Sequence, residues 1–216
     1  MRLLGTDGVS SFKVLHERFW SDAKERTCRE RLDQLVKSGW LESYYIDTRD
    51  EKNLLVFNLT RKGAKDNFDP VTRRFMITKL PAYNEVHQQL MAQQARFRLI
   101  ERLTKQGLKL AGWLNERQLH SQARRKLRPG TMAWGRIGGI ADAQASILNP
   151  VTGEITNQNI EVDGAYYGKG LREKIAGIAR AGIKTTWVTT PGRTAKINRE
   201  ITEAGASGLI DVMVIG

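Results

Sequence analysis

The chain has 216 residues, enough for one large domain or two small ones, and two are expected here. Its 35 Lys and Arg against 23 Asp and Glu leave a formal net charge of +12, which points to a polyanionic partner held by counter-ion release; nucleic acid is the economical choice and an anionic membrane surface the competitor. No long apolar stretch and no secretory leader stand out, so a cytoplasmic protein without membrane insertion is expected, while the single cysteine, Cys28, excludes an intramolecular disulfide framework and any Cys-rich zinc site.

In chain order, Ser10 or Ser11 caps a predicted helix through Phe12, Val14, Leu15 and Phe19, which Trp20-Ser21 interrupts. A second helix is predicted from Asp22 to Ser38. Ala23, Cys28, Leu32, Leu35 and Val36 recur at helical spacing, Lys24, Arg26, Arg29, Arg31 and Lys37 take other positions, and Gly39 stops the helix. Two β-prone runs follow, Trp40 to Ile46 and Leu54 to Leu59, separated by the polar segment 47–53. Helix, turn, helix, hairpin, and then the phrase Leu59-Thr-Arg-Lys-Gly63, together resemble a winged helix-turn-helix. The resemblance implies DNA contacts from Lys24, Arg26, Arg29 and Arg31 on the second helix and from Arg49 and Lys52 on the wing, although such modules also bind proteins. Cys28 reads as a small core residue.

Residues 66–82 read as a connector bounded by Asp69-Pro70 and Leu80-Pro81. A long helix is predicted from Tyr83 to Lys105, with Val86, Leu90, Phe97, Ile100 and Leu103 apolar and Gly107 at its end. The expected division is therefore 1–68, a connector and bridging helix over 69–106, and 107–216. The second part opens on a strand, Leu108 to Trp113. The basic stretch Arg124, Arg125, Lys126 and Arg128 then offers a phosphate-contacting surface, or merely a solubilising charge run. His16, His87 and His120 are too far apart in sequence to read as a metal-binding pair.

The stretch 139–174 organises the second part. Asn149, Pro150 and Gly153 are turn residues between runs rich in Ile, Val and Thr, the local signature of a hairpin. The hairpin brings Asp142 beside Glu161, and alternation along the strand sends Glu161 and Asp163 to one face, about 6–7 Å apart. Carboxylates that converge repel, by roughly 4 kcal/mol at about 4 Å and an effective dielectric near 20, so a cluster takes up a proton or holds a cation. Oxygen-only ligands favour Mg²⁺ or Mn²⁺. The alternative is that the strand acids face water or pair with Lys and Arg. Beyond the hairpin, helices are predicted over Lys169 to Ala181 and Arg193 to Ala204, and strands over Thr185 to Thr189 and Leu209 to Ile215.

This order, with Asp142 on one strand and Glu161 on the next, resembles the restriction-endonuclease-like fold and its PD-(D/E)xK motif. The implied fold class is α/β (α+β): an N-terminal winged helix-turn-helix followed by a nuclease domain with a mixed central sheet. Ala141 stands in the proline place, and Asp163 stands where the family usually has lysine; Lys174 on the following helix would replace it, with Lys169 a poorer candidate. Glu116 resembles an extra helix-borne acid of many members. The combination is similar to the plasmid replication-relaxation group, including mobilisation relaxases of the MOBC class.

The resemblance implies a metal-dependent endonuclease that nicks one strand at a plasmid transfer origin, with relaxosome or coupling proteins as further partners. Asp142, Glu161, Asp163 and Glu116 would be the ligands for Mg²⁺ or Mn²⁺, and Lys174 a catalytic cation. Arg193 is a candidate phosphate contact, and Tyr166 and Tyr167 fit packing or base stacking better than a nucleophile's role. The alternatives are a DNA-binding regulator or relaxosome accessory with an inactive nuclease fold, and a nuclease for repair or junction resolution.

Overall fold

The computed structural model describes residues 1–48, 51–126, 140–164 and 167–215, without the side chains of residues 83, 84 and 124–126. The chain forms two compact units, Met1–Gln93 and Gln94–Gly216. The division falls inside a continuous helix rather than in a linker.

The first unit contains α1 (Arg2–Asp7), β1 (Ser10–Ser11), α2 (Phe12–Phe19), α3 (Glu25–Lys37), β2 (Leu41–Ile46), β3 (Leu54–Leu59), α4 (Arg61–Asn67), α5 (Pro70–Arg73) and the start of α6 (Tyr83–Lys105). Its strands form an antiparallel sheet in the order β1-β3-β2, with Ser10 opposite Phe57 and Leu41 opposite Leu59. Neither α1 nor β1 was expected. Strand β1 has only Ser10 and Ser11, too short for any alternation to show, and the hydroxyl of Ser11 also caps α2 by accepting from Val14 N at 3.3 Å. Helix α3 starts later than expected, at Glu25, because its N-cap is Lys24 and no side chain caps it there.

The phrase around Gly63 has a packing reason. The hydroxyl of Thr60 accepts from Gly63 N at 2.8 Å and donates to the carbonyl oxygen of Gly39 at 2.7 Å, so one side chain caps α4 and ties it to the end of α3. A Cβ on Gly63 would meet the Trp40 carbonyl oxygen at 2.2 Å, so only glycine allows this approach. Cys28 is fully buried in the core with Leu4, Leu15, Leu32, Leu41 and Leu59, and Met76 from the expected connector joins it.

The second unit runs from the end of α6 through β4 (Lys109–Asn115), α7 (Glu116–Lys126), β5 (Ala143–Leu148), β6 (Ile155–Val162), α8 (Gly168–Ala181), β7 (Thr185–Thr189), α9 (Pro191–Glu203) and β8 (Ile210–Val214). The sheet order is β4-β5-β6-β7-β8, antiparallel through β6 and parallel from β6 to β8, hence mixed. The hairpin turns where Asn149 accepts from Val151 N at 2.9 Å and Gly153 takes φ 72. Every residue of β7 is buried, as expected of a central parallel strand covered on both faces. Leu171 and Ile175 of α8 and Ile197 and Ile201 of α9 pack with Trp187 of β7.

Candidate functional site

Strand register builds the site. Ala143 of β5 lies opposite Asn115 of β4 and opposite Ile160 of β6. One step along the β5–β6 ladder, Asp142 therefore falls opposite Glu161, while Glu116 follows Asn115 at the end of β4. On the parallel side, Glu161 pairs with Trp187. The acids gather at one end of the sheet because β6 and β7 finish there, β5 starts there and β4 gives way there to α7.

Asp142 is half-buried, and its Oδ2 accepts from Val162 N at 2.7 Å, which fixes the carboxylate against β6. Glu161 is buried, its side chain 5% exposed, and its Oε2 lies 2.5 Å from the Lys174 ammonium on α8. Burial pushes the Glu161 carboxyl up to about 7; the Lys174 charge pulls it back, and the neighbouring Asp142, within hydrogen-bonding reach, pushes it further up. A buried acid with one cation thus has a second, half-buried acid as its neighbour. Such a pair accepts either a proton or a second cation.

Asp163 is also buried and follows Glu161 by two residues, but its partners differ. Its backbone N–H donates to the Val188 carbonyl at 2.8 Å. Its carboxylate takes Arg193 Nη2 at 2.8 Å on Oδ1, an ion pair with Arg193 Nε on Oδ2, and the Thr189 hydroxyl at 2.9 Å on Oδ2. Asp163 is therefore satisfied by a bidentate guanidinium rather than turned towards Asp142. Arg193, expected as a phosphate contact, is itself buried in this pair.

Glu116 opens α7, 3.4 Å from His120 Nε2 on the next turn. Asn115 and Gln118 cap that helix reciprocally, Asn115 Oδ1 accepting from Gln118 N at 2.9 Å and Gln118 Oε1 accepting from Asn115 N at 3.0 Å. The Asn-x-x-Gln spacing is the signal in the sequence for the start of this helix, which the resemblance implied only through Glu116.

Among the described residues, no group of three or more His, Cys, Asp or Glu is arranged to hold a metal ion. Asp142 and Glu161 nevertheless suit a hard cation that keeps most of its water, since Mg²⁺ commonly takes only one or two carboxylates and completes its shell with water and phosphate oxygens. An acid pair with a carboxyl held near neutrality fits that description.

In the first unit, Lys24, Arg26, Arg29, Arg31 and Lys52 are exposed. Arg26 is paired with Glu30 at 2.8 Å, and the Arg29 guanidinium lies 4.1 Å from the centroid of the Phe12 ring. Arg49, Tyr166 and the side chains of Arg124 and Arg125 lie outside the described residues.

Sequence reasoning missed Thr189, Tyr167 as a neighbour of Arg193, and Lys196. Arg193 lies 4.5 Å from the Tyr167 ring centroid and the Lys196 ammonium 5.6 Å from it. Among the described residues, no helix is long and apolar enough to cross a membrane. No protein-family model matches the chain, and no curated protein matches it.

Proposed function

We propose that the protein is a metal-dependent DNA endonuclease that nicks one strand at a plasmid transfer origin, as its resemblance to MOBC-class mobilisation relaxases implies. The observation that carries this reading is the Asp142–Glu161 pair with Lys174 on Glu161 at the end of a mixed sheet. That arrangement agrees with a PD-(D/E)xK centre whose lysine has moved to the following helix. The order α2, α3, β2, β3 supports a winged helix-turn-helix in the first unit, and the exposed cations on α3, with Lys52, supply its DNA face.

Asp142 and Glu161 would hold a Mg²⁺ or Mn²⁺ ion. When bound, the ion supplies polarisation of the scissile phosphate and a more acidic water. Lys174, which lies against Glu161, would stabilise the negative charge that develops on the phosphorus-bound oxygens. Asp163 is not a ligand in this scheme: with Arg193 and Thr189 it secures the end of β6 against β7 and α9, so that Glu161 keeps its place.

A second reading has its own observation. The engagement of Asp163 with Arg193 leaves a spare acidic set, which favours a DNA-binding regulator or relaxosome accessory whose nuclease fold is inactive. Nicking of supercoiled plasmid with Mg²⁺ or Mn²⁺, with and without a transfer origin, separates the two. Origin-dependent nicking by the native chain, lost in Asp142→Ala and Glu161→Ala while DNA binding persists, supports the relaxase. Binding without nicking under either metal leaves the accessory role.

A further inference from the structure

Tyr167, six residues after Glu161, is a large exposed aromatic side chain, 59% open to solvent. It stands at the N-cap of α8, the helix that carries Lys174 two turns on, and four residues after Asp163. Its ring does not hang free. The Arg193 guanidinium lies 4.5 Å from the ring centroid, and that guanidinium is held from behind by both carboxylate oxygens of Asp163. Lys196, one turn further along α9, brings its ammonium to 5.6 Å from the same centroid.

An exposed aromatic needs a reason when its support is this costly: a buried ion pair gains little stability over apolar packing, yet here it fixes a planar cation where it meets the ring. The result is an exposed aromatic plate with two cations close over it. That combination is what unpaired nucleic acid uses, since every base has a π-face to stack and every base carries a phosphate next to it.

We propose that Tyr167, braced by the Asp163-held guanidinium of Arg193 and flanked by Lys196, is the stacking platform for an unpaired base of the DNA strand that enters the Asp142–Glu161 pair. The proposal deepens the nuclease reading and rests on its DNA component. It gives Arg193 a role other than the phosphate contact expected from the sequence: the guanidinium works through the ring, and Lys196 meets the phosphate. It also makes the substrate at this site single-stranded DNA, which a strand-nicking enzyme reaches by melting its origin.

The test reads binding rather than cleavage, in EDTA, so that it does not depend on the metal. A single-stranded oligodeoxynucleotide carrying 2-aminopurine is titrated with the native chain, Tyr167→Phe, Tyr167→Ala and Lys196→Ala. The native chain and Tyr167→Phe are expected to quench the probe alike, and Tyr167→Ala to lose the quench and bind roughly tenfold more weakly. Lys196→Ala is expected to keep the quench and lower the salt slope by about 0.7. Unchanged quenching and affinity in Tyr167→Ala would overturn the proposal, as would failure of the native chain to bind the oligonucleotide. Tyr167-dependent quenching in a protein that nicks nothing would leave the platform standing and remove the nuclease reading alone.

Discussion

Two buried carboxylates two residues apart on one strand end meet opposite fates. Asp163 faces a guanidinium and a hydroxyl, so its charge is matched and its lone pairs are used. Glu161 faces one ammonium but also a second acid, and its carboxyl is pushed up to about 7. The sequence spacing is the same for both; what differs is the element each side chain meets. Charge that is matched in a dry place stays ionised and serves the fold, whereas a buried carboxyl set beside a second acid is driven towards its protonated form.

The comparison is broken most severely from the matched side. Arg193→Ala strands Asp163 as a buried, unpaired charge, and chemical denaturation should show a loss of about 3–5 kcal/mol. Replacing both members, Asp163→Leu with Arg193→Met, should recover most of that loss, because the cost lies in the orphaned charge.

On the unmatched side the sign reverses. The folded state holds a proton on Glu161 that the unfolded chain has already released at the same pH, since the carboxyl is raised from 4.5 to about 7. Stability is therefore greatest below the unfolded value and falls as pH rises through the folded one, by at most about 3 kcal/mol. Glu161→Gln should flatten this slope, and metal-free thermal melts between acid and neutral pH read it directly. A native chain that gains stability over this interval through Glu161 would contradict the account.

Thr189→Val sharpens the same contrast at smaller cost. It removes one hydrogen bond to a charged acceptor that keeps its guanidinium, and should destabilise by roughly 1.5–3 kcal/mol in the same denaturation assay. The smallest effect is expected in the first unit. Arg26 is 88% exposed and paired within its own helix, so Arg26→Ala should change stability by less than about 0.5 kcal/mol. If α3 lies on DNA, the same variant should reduce the salt slope of duplex binding by about one.

Much of the architecture was legible. The helix over Tyr83–Lys105 shows its full length in its apolar spacing, and the hairpin shows itself through Asn149, Gly153 and the flanking β-branched residues. The Gly63 phrase was legible as a pattern, and its cause, the Trp40 carbonyl against the glycine, belongs to the fold. Short elements were not legible: α1 and β1 are too brief for periodicity to build up. The part that Met76 plays in the first core was hidden for a related reason, since it looks like any loop apolar residue until its neighbours there are known.

For the site, the sequence by itself determined the inventory: acids two apart on a strand, an aspartate across the hairpin, a lysine two turns into the next helix and a strongly basic surround. Alternation along a strand and the closure of a hairpin are local effects, so Asp142 beside Glu161 could be written down in advance. Only the tertiary structure decided which acid met which cation. Lys174 and Arg193 come from different helices, and their reach to β6 depends on how α8 and α9 pack over Trp187. Long-range packing of that kind leaves no mark at any fixed spacing, and it is what turned Asp163 into a brace and left Glu161 with Asp142.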